Sequence, residues 1–155
     1  MTAREYLDRP ETLRKEIRRK QMRIKTLRRL ATRFSAGLTK DRVKTTPDPA
    51  RMQAFLSEAA DEERQIRILE DKRLQALADT ALLISRLPEE KLVRMMEMRY
   101  LDRFGWDEIT VRLGCASATV FRLHQLALDL LTPPPETEDE KTLESCLKKA
   151  YNNGV

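Results

Sequence analysis

The 155-residue chain contains only 2 cysteines, 4 glycines, 7 prolines and 1 histidine. Cys115 and Cys146 are too few and too far apart for a disulfide framework or a cysteine zinc cage, so reduced thiols are expected. The four glycines and an aromatic fraction of 5% leave little material for a turn-rich sandwich or barrel, or for a glycine loop that cradles phosphates. No run approaches the roughly 20 apolar residues of a membrane span, and the opening MTAREYLDRP lacks the apolar stretch of a secretion signal. No membrane partner and a cytoplasmic location are therefore expected.

Catalytic equipment is also scarce. His124 has no nucleophile or second base in its pattern and reads as a packed, hydrogen-bonded helix residue. Asp61, Glu62 and Glu63 are consecutive, so on a helix they point apart and cannot converge on one ion. Met95, Met96 and Met98 read as gap-filling core residues. The sequence thus points away from an enzyme, with no cofactor, no metal and no small-molecule substrate expected.

What the chain has in abundance is charge, 35% of its residues, with a net value of +5. Between residues 14 and 33, ten cations (Arg14, Lys15, Arg18, Arg19, Lys20, Arg23, Lys25, Arg28, Arg29, Arg33) face the single carboxylate of Glu16. Such density suits a polyanion partner. It equally suits a solvated helix face that pairs with an acidic neighbour. The segments EAADEERQIRILE (58–70) and ETEDE (136–140) are acidic.

Hydrophobic spacing predicts an all-α chain. Asp8, Pro10 and Glu11 resemble a helix start. From there Leu13, Ile17, Lys20, Ile24, Leu27, Ala31 and Phe34 alternate steps of four and three, a heptad seam that needs a partner helix. Residues 35–48 read as a loop, and Asp48-Pro49 as a cap and restart. Met52, Phe55, Ala59, Ile66 and Leu69 form one seam, and Leu74, Leu77, Ala81 and Ile84 a second that is offset by a residue. A long antiparallel helical hairpin over residues 8–87 follows, its acidic stretch beside the basic helix. The same seam can also make a homodimer through the hairpin.

Beyond Pro88 the helices shorten: Glu89–Leu101, Trp106–Leu113 and Ser117–Leu131, separated by Gly105 and Gly114. Ile109 and Leu113 share one face, Gly114 permits a left-handed bend, and Val120, Leu123, Ala127 and Leu130 form the expected inner face of the last helix. Residues 88–132 thereby suit a helix-turn-helix DNA-binding domain, followed by a Pro-rich, acidic tail over 133–155 with a short helix near 143–150. In that arrangement the second helix of the pair enters the major groove. Its outward residues are Ser117, Ala118, Thr119, Phe121, Arg122 and Gln125. Arg122 can bind guanine in two places, and Phe121 can touch a thymine methyl. Arg99, Arg103, Arg112, Arg18, Arg19 and Arg23 are candidate phosphate contacts, and double-stranded DNA is the expected partner.

Residues 92–131 resemble region 4 of bacterial sigma factors, through Arg99-Tyr100, Glu108-Ile109, Leu113-Gly114, Val120, Arg122, Ala127 and Leu131. Residues 1–131 are similar to small phage and prophage transcriptional regulators of the RinA and ArpU type. The shared features are Ala3-Arg4-Glu5-Tyr6-Leu7, the basic first helix, Asp41-Arg42-Val43, Asp48, Met52 and the run Trp106, Glu108, Ile109, Leu113, Gly114, Val120, Arg122, Leu123, His124. The resemblance implies a DNA-binding regulator of late phage genes, working with host RNA polymerase in the cytoplasm of a bacterial host. A protein-interaction module that docks on RNA polymerase or another partner without reading DNA sequence is the alternative. Three positions depart from the pattern: Ala116 replaces the usual Ser cap, Gly105 a Thr, and Thr110 a small Ala. Ser117 is then expected to take over the cap.

Overall fold

The computed structural model describes residues 1–35 and 48–135. Among these residues the chain is all-α and has no strand. The order is α1 (Ala3–Ser35), α2 (Pro49–Ile84), α3 (Glu90–Tyr100), α4 (Trp106–Leu113) and α5 (Ser117–Leu130). No helix among the described residues is long and apolar enough to cross a membrane. The expected loop over 35–48 lies almost wholly outside the described residues, as do Cys146, the acidic tail and its short helix.

Helix α1 starts earlier than the Asp8-Pro10 signal suggests. Thr2 Oγ1 accepts the Glu5 backbone N–H at 3.2 Å, and Glu5 Oε2 accepts the Thr2 N–H at 2.7 Å, a reciprocal capping box. Pro10 therefore lies inside the helix, where it forgoes one backbone bond. Burial of Tyr6 and Leu7 favours the added turns. At α2 the expected cap is in place, with Asp48 Oδ1 accepting the Arg51 N–H at 3.0 Å.

The described residues form two units, one of residues 8–79 and the other of residues 1–7 with 80 onward. In the first unit α1 and α2 pair along the expected seam. Ile17, Ile24 and Leu27 pack with Ala59, Ile66 and Leu69, flanked by Leu13 and Phe55. Partners run in opposite order along the two helices: Arg9 with Asp79, Lys20 with Glu62, Phe34 with Phe55. The expected offset seam fails at Leu74, although its last member, Ile84, is fully buried. Leu74 is 63% exposed while Ala76, Thr80 and Leu83 are buried, so the spacing of three and four continues through Ala59, Glu62, Ile66, Leu69, Arg73, Ala76, Thr80, Leu83 and Leu87. Polar residues at three of these positions disguise the register in the sequence.

In the second unit the division falls at 79/80 rather than at Pro88. Tyr6, Leu7, Leu83, Ile84 and Leu87 share one core with Leu92, Met95, Met96, Met98, Tyr100, Ile109, Val120, Ala127 and Leu131. The start of α1 and the end of α2 thus supply apolar surface to the three short helices. Helix α3 runs from Glu90 to Tyr100 and α5 ends at Leu130, each slightly shorter than the spacing predicts.

Candidate nucleic-acid interface

The turn between α4 and α5 is set by Gly114, whose φ of 64° is left-handed, a region that costs side-chain-bearing residues roughly 1–2 kcal/mol. The Gly114 N–H reaches the Val111 carbonyl and the Cys115 N–H the Thr110 carbonyl, both at 3.3 Å, which satisfies the carbonyls at the helix end. Helix α5 then begins at Ser117 with Ala116 in the capping position, extended at φ −68° and ψ 152° and without a side-chain cap. Ser117 therefore does not take over as the cap. Gly105 likewise caps α4 without a side chain, and the Thr110 hydroxyl is turned back onto the Asp107 carbonyl at 2.6 Å.

Two fully buried residues, Ile109 and Val120, hold α4 and α5 on the core. The buried face of α5 is Val120, His124 and Ala127, with Leu131 following. Leu130, expected on that face, is 49% exposed, because Leu131 just past the helix end fills the place. His124 is the residue that orients the aromatic side of the unit. Its Nε2 lies 2.8 Å from the Tyr100 hydroxyl, and the Trp106 ring meets it edge-on at 4.7 Å. Burial, followed by the Arg4 and Arg99 cations, lowers its pKa to about 4. The ring is consequently neutral at pH 7, and its Nε2 shares one hydrogen bond with the Tyr100 hydroxyl.

The expected reading residues fall on the opposite side of α5. Ser117, Ala118, Phe121, Arg122 and Gln125 are exposed, and Thr119 is half-buried. Arg122 has no ion-pair or hydrogen-bond partner among the described residues. Gln125 donates to Asp129 at 3.0 Å. Phe121 leans on Trp106, with centroids 5.1 Å apart, so only part of its ring is free to contact another molecule.

The expected phosphate contacts divide. Arg99 lies over Trp106, 4.5 Å from its centroid, and donates to the Phe104 carbonyl at 3.3 Å; it is built into the aromatic cluster. Arg112 covers Phe104 and pairs with Glu108 at 3.1 Å. Arg103 occupies a left-handed backbone position at φ 61°. On α1, Arg19 is held by Glu16 at 2.8 Å and Arg23 by Glu58 and Glu62, whereas Arg18 is exposed without a partner among the described residues. Sequence reading passed over Lys91 and Arg94. They line an open cleft of about 340 Å³ with Glu90, Arg112 and Leu113, and both are exposed. Their i and i+3 spacing on α3 is the signal that could have found them.

Among the described residues no group of His, Cys, Asp and Glu could hold a metal ion. No family model, curated protein or solved structure matches the chain.

Proposed function

We propose that the protein is a sequence-reading regulator of transcription that binds double-stranded DNA, with α4 and α5 as a helix-turn-helix and α5 as its reading helix. The observation that supports this most is the division of α5. One face is locked onto the core through Val120, His124 and Ala127, while Ser117, Ala118, Phe121, Arg122 and Gln125 on the other are free of the core. A rigid helix with a solvated amino-terminal row fits the major groove, and Arg122, without a partner among the described residues, is suited to the N7 and O6 of guanine. Lys91 and Arg94 suit the flanking phosphates. The resemblance to phage regulators adds late phage genes as targets and host RNA polymerase as a partner. Titration of the protein against promoter DNA from its own genome and against scrambled duplex tests this reading. Preference for the promoter, lost in Arg122→Ala, is the expected result; equal binding of both, unchanged in the variant, refutes it.

A second reading is supported by exposed apolar groups on the same helices. Val111 is 81% exposed, and Leu126 and Leu130 are each nearly half exposed, a composition suited to docking on a protein such as polymerase. Capture of polymerase by a protein that binds no DNA favours that reading.

A further inference from the structure

The ten cations of residues 14–33 separate into two equal sets. Arg14, Arg19, Lys20, Arg23 and Arg28 are each paired, with Glu11, Glu16, Glu62, Glu58 and Glu63 respectively. Lys15, Arg18, Lys25, Arg29 and Arg33 are all exposed and have no partner among the described residues. At 3.6 residues per turn the unpaired five fall within about 80° of arc, centred opposite the Ile17, Ile24 and Leu27 seam, and they span roughly 27 Å along the axis.

We propose that this outward face of α1 is a second DNA contact, one that holds the phosphate backbone of a duplex without reading its sequence. Folding alone does not favour the arrangement, since like charges three and four residues apart on a helix repel. Lys15 with Arg18, Lys25 with Arg29 and Arg29 with Arg33 all have that spacing. The carboxylates of α2 that reach α1 are already engaged on its flanks. A linear polyanion relieves the repulsion and releases its own counterions.

The face does not suit a lipid surface. A membrane-lying helix inserts an apolar side, and the apolar side of α1 is buried against α2. Met22, at 57% exposure, is the one large hydrophobic within the stripe. The stripe also lacks the aromatic and apolar anchors that form the centre of protein interfaces. The choice of DNA as the polyanion rests on the function proposed above.

The test uses the full chain and a labelled random-sequence duplex of roughly 30 base pairs, titrated from about 50 to 200 mM salt. The variant carries Lys15→Gln, Arg18→Gln, Lys25→Gln, Arg29→Gln and Arg33→Gln; Gln preserves helix propensity. A charge-matched control carries Arg51→Gln, Arg64→Gln, Arg67→Gln, Lys72→Gln and Arg86→Gln. The stripe variant is expected to lose about 3 to 4 from the slope of log K against log salt, and at least about ten-fold in affinity, with the control losing much less. The milder pair Lys25→Gln and Arg29→Gln, a safeguard against misfolding, should lose about 2. Equal losses in variant and control overturn the proposal, as does a wild-type slope in the stripe variant or wild-type binding to anionic vesicles in place of duplex. If the stripe variant keeps the wild-type slope while Arg122→Ala still abolishes promoter preference, the stripe fails and the reading helix stands. If the stripe variant loses the slope and the wild type prefers no sequence, the stripe stands and the reading helix fails.

Discussion

His124 is more acidic in the folded protein than in an unfolded chain, where its ordinary value is near 6.5. Between pH 6.5 and about 4 the unfolded chain takes up a proton that the folded protein refuses. The contribution of this residue to stability is therefore complete above pH 6.5, declines as pH falls through that window and levels off below about 4. At pH 5 the protein should have lost roughly 2 kcal/mol relative to pH 7 through this residue. Urea unfolding at the two pH values, for wild type and His124→Gln, isolates the effect because the carboxylates contribute to both. The wild type should show the larger loss, and equal losses refute the assignment. Thr80 carries a second prediction. It is fully buried, and its hydroxyl has no partner among the described residues, a desolvation cost that an isosteric methyl removes. Thr80→Val should raise stability by roughly 1 kcal/mol, measured as the urea midpoint; a lower midpoint means that the hydroxyl is satisfied.

The elements show where sequence reasoning succeeds. The seam of α1 is legible because its apolar residues recur every three and four positions with one interruption, Lys20, which reaches across to Glu62 at 3.0 Å and Gln65 at 2.7 Å. The seam of α2 is misread after Leu69 because Arg73 and Thr80 occupy inward positions that a hydrophobic pattern cannot credit, while Leu74 offers an apolar decoy on the outside. The start of α1 is encoded as Thr2-x-x-Glu5, and the Asp8-Pro10 pair further on mimics a second helix start. The bounds of α4 are legible because Gly105 and Gly114 punctuate both ends. The cap of α5 is not, because nothing in the sequence decides whether Ala116 or Ser117 takes the extended backbone position. Since Ala116 does, Ala116→Ser gives the Thr119 N–H an acceptor and should stabilise the protein by about 0.5–2 kcal/mol. A rise in the thermal midpoint confirms the position of the cap, and no change refutes it.

At the scale of the molecule, charge is what the structure reinterprets. A local surplus of nine cations over carboxylates reads in sequence either as a polyanion site or as one half of an ion-paired hairpin. The ion-paired description holds for half of the ten cations, and the polyanion site is what we propose for the other half. The flanking cations of α1 pair with Glu58, Glu62 and Glu63 or with carboxylates of α1 itself, and the outward five have no partner among the described residues. Which cations belong to which set depends on helix rotation and on the α2 register, and neither is visible in a list of charges. The candidate reading residues of α5 were legible because only one rotation of that helix buries Val120 and Ala127 together. Lys91 and Arg94 share one face of α3 by their i and i+3 spacing, but that spacing alone does not say that the face borders a cleft. Selection of bound sequences from a pool of random duplex DNA, with wild type and with Arg122→Ala, puts the proposed reading helix to the test. An enriched motif with a fixed guanine, lost or relaxed at that position in the variant, is the expected result. A pool that remains random with the wild-type protein contradicts it.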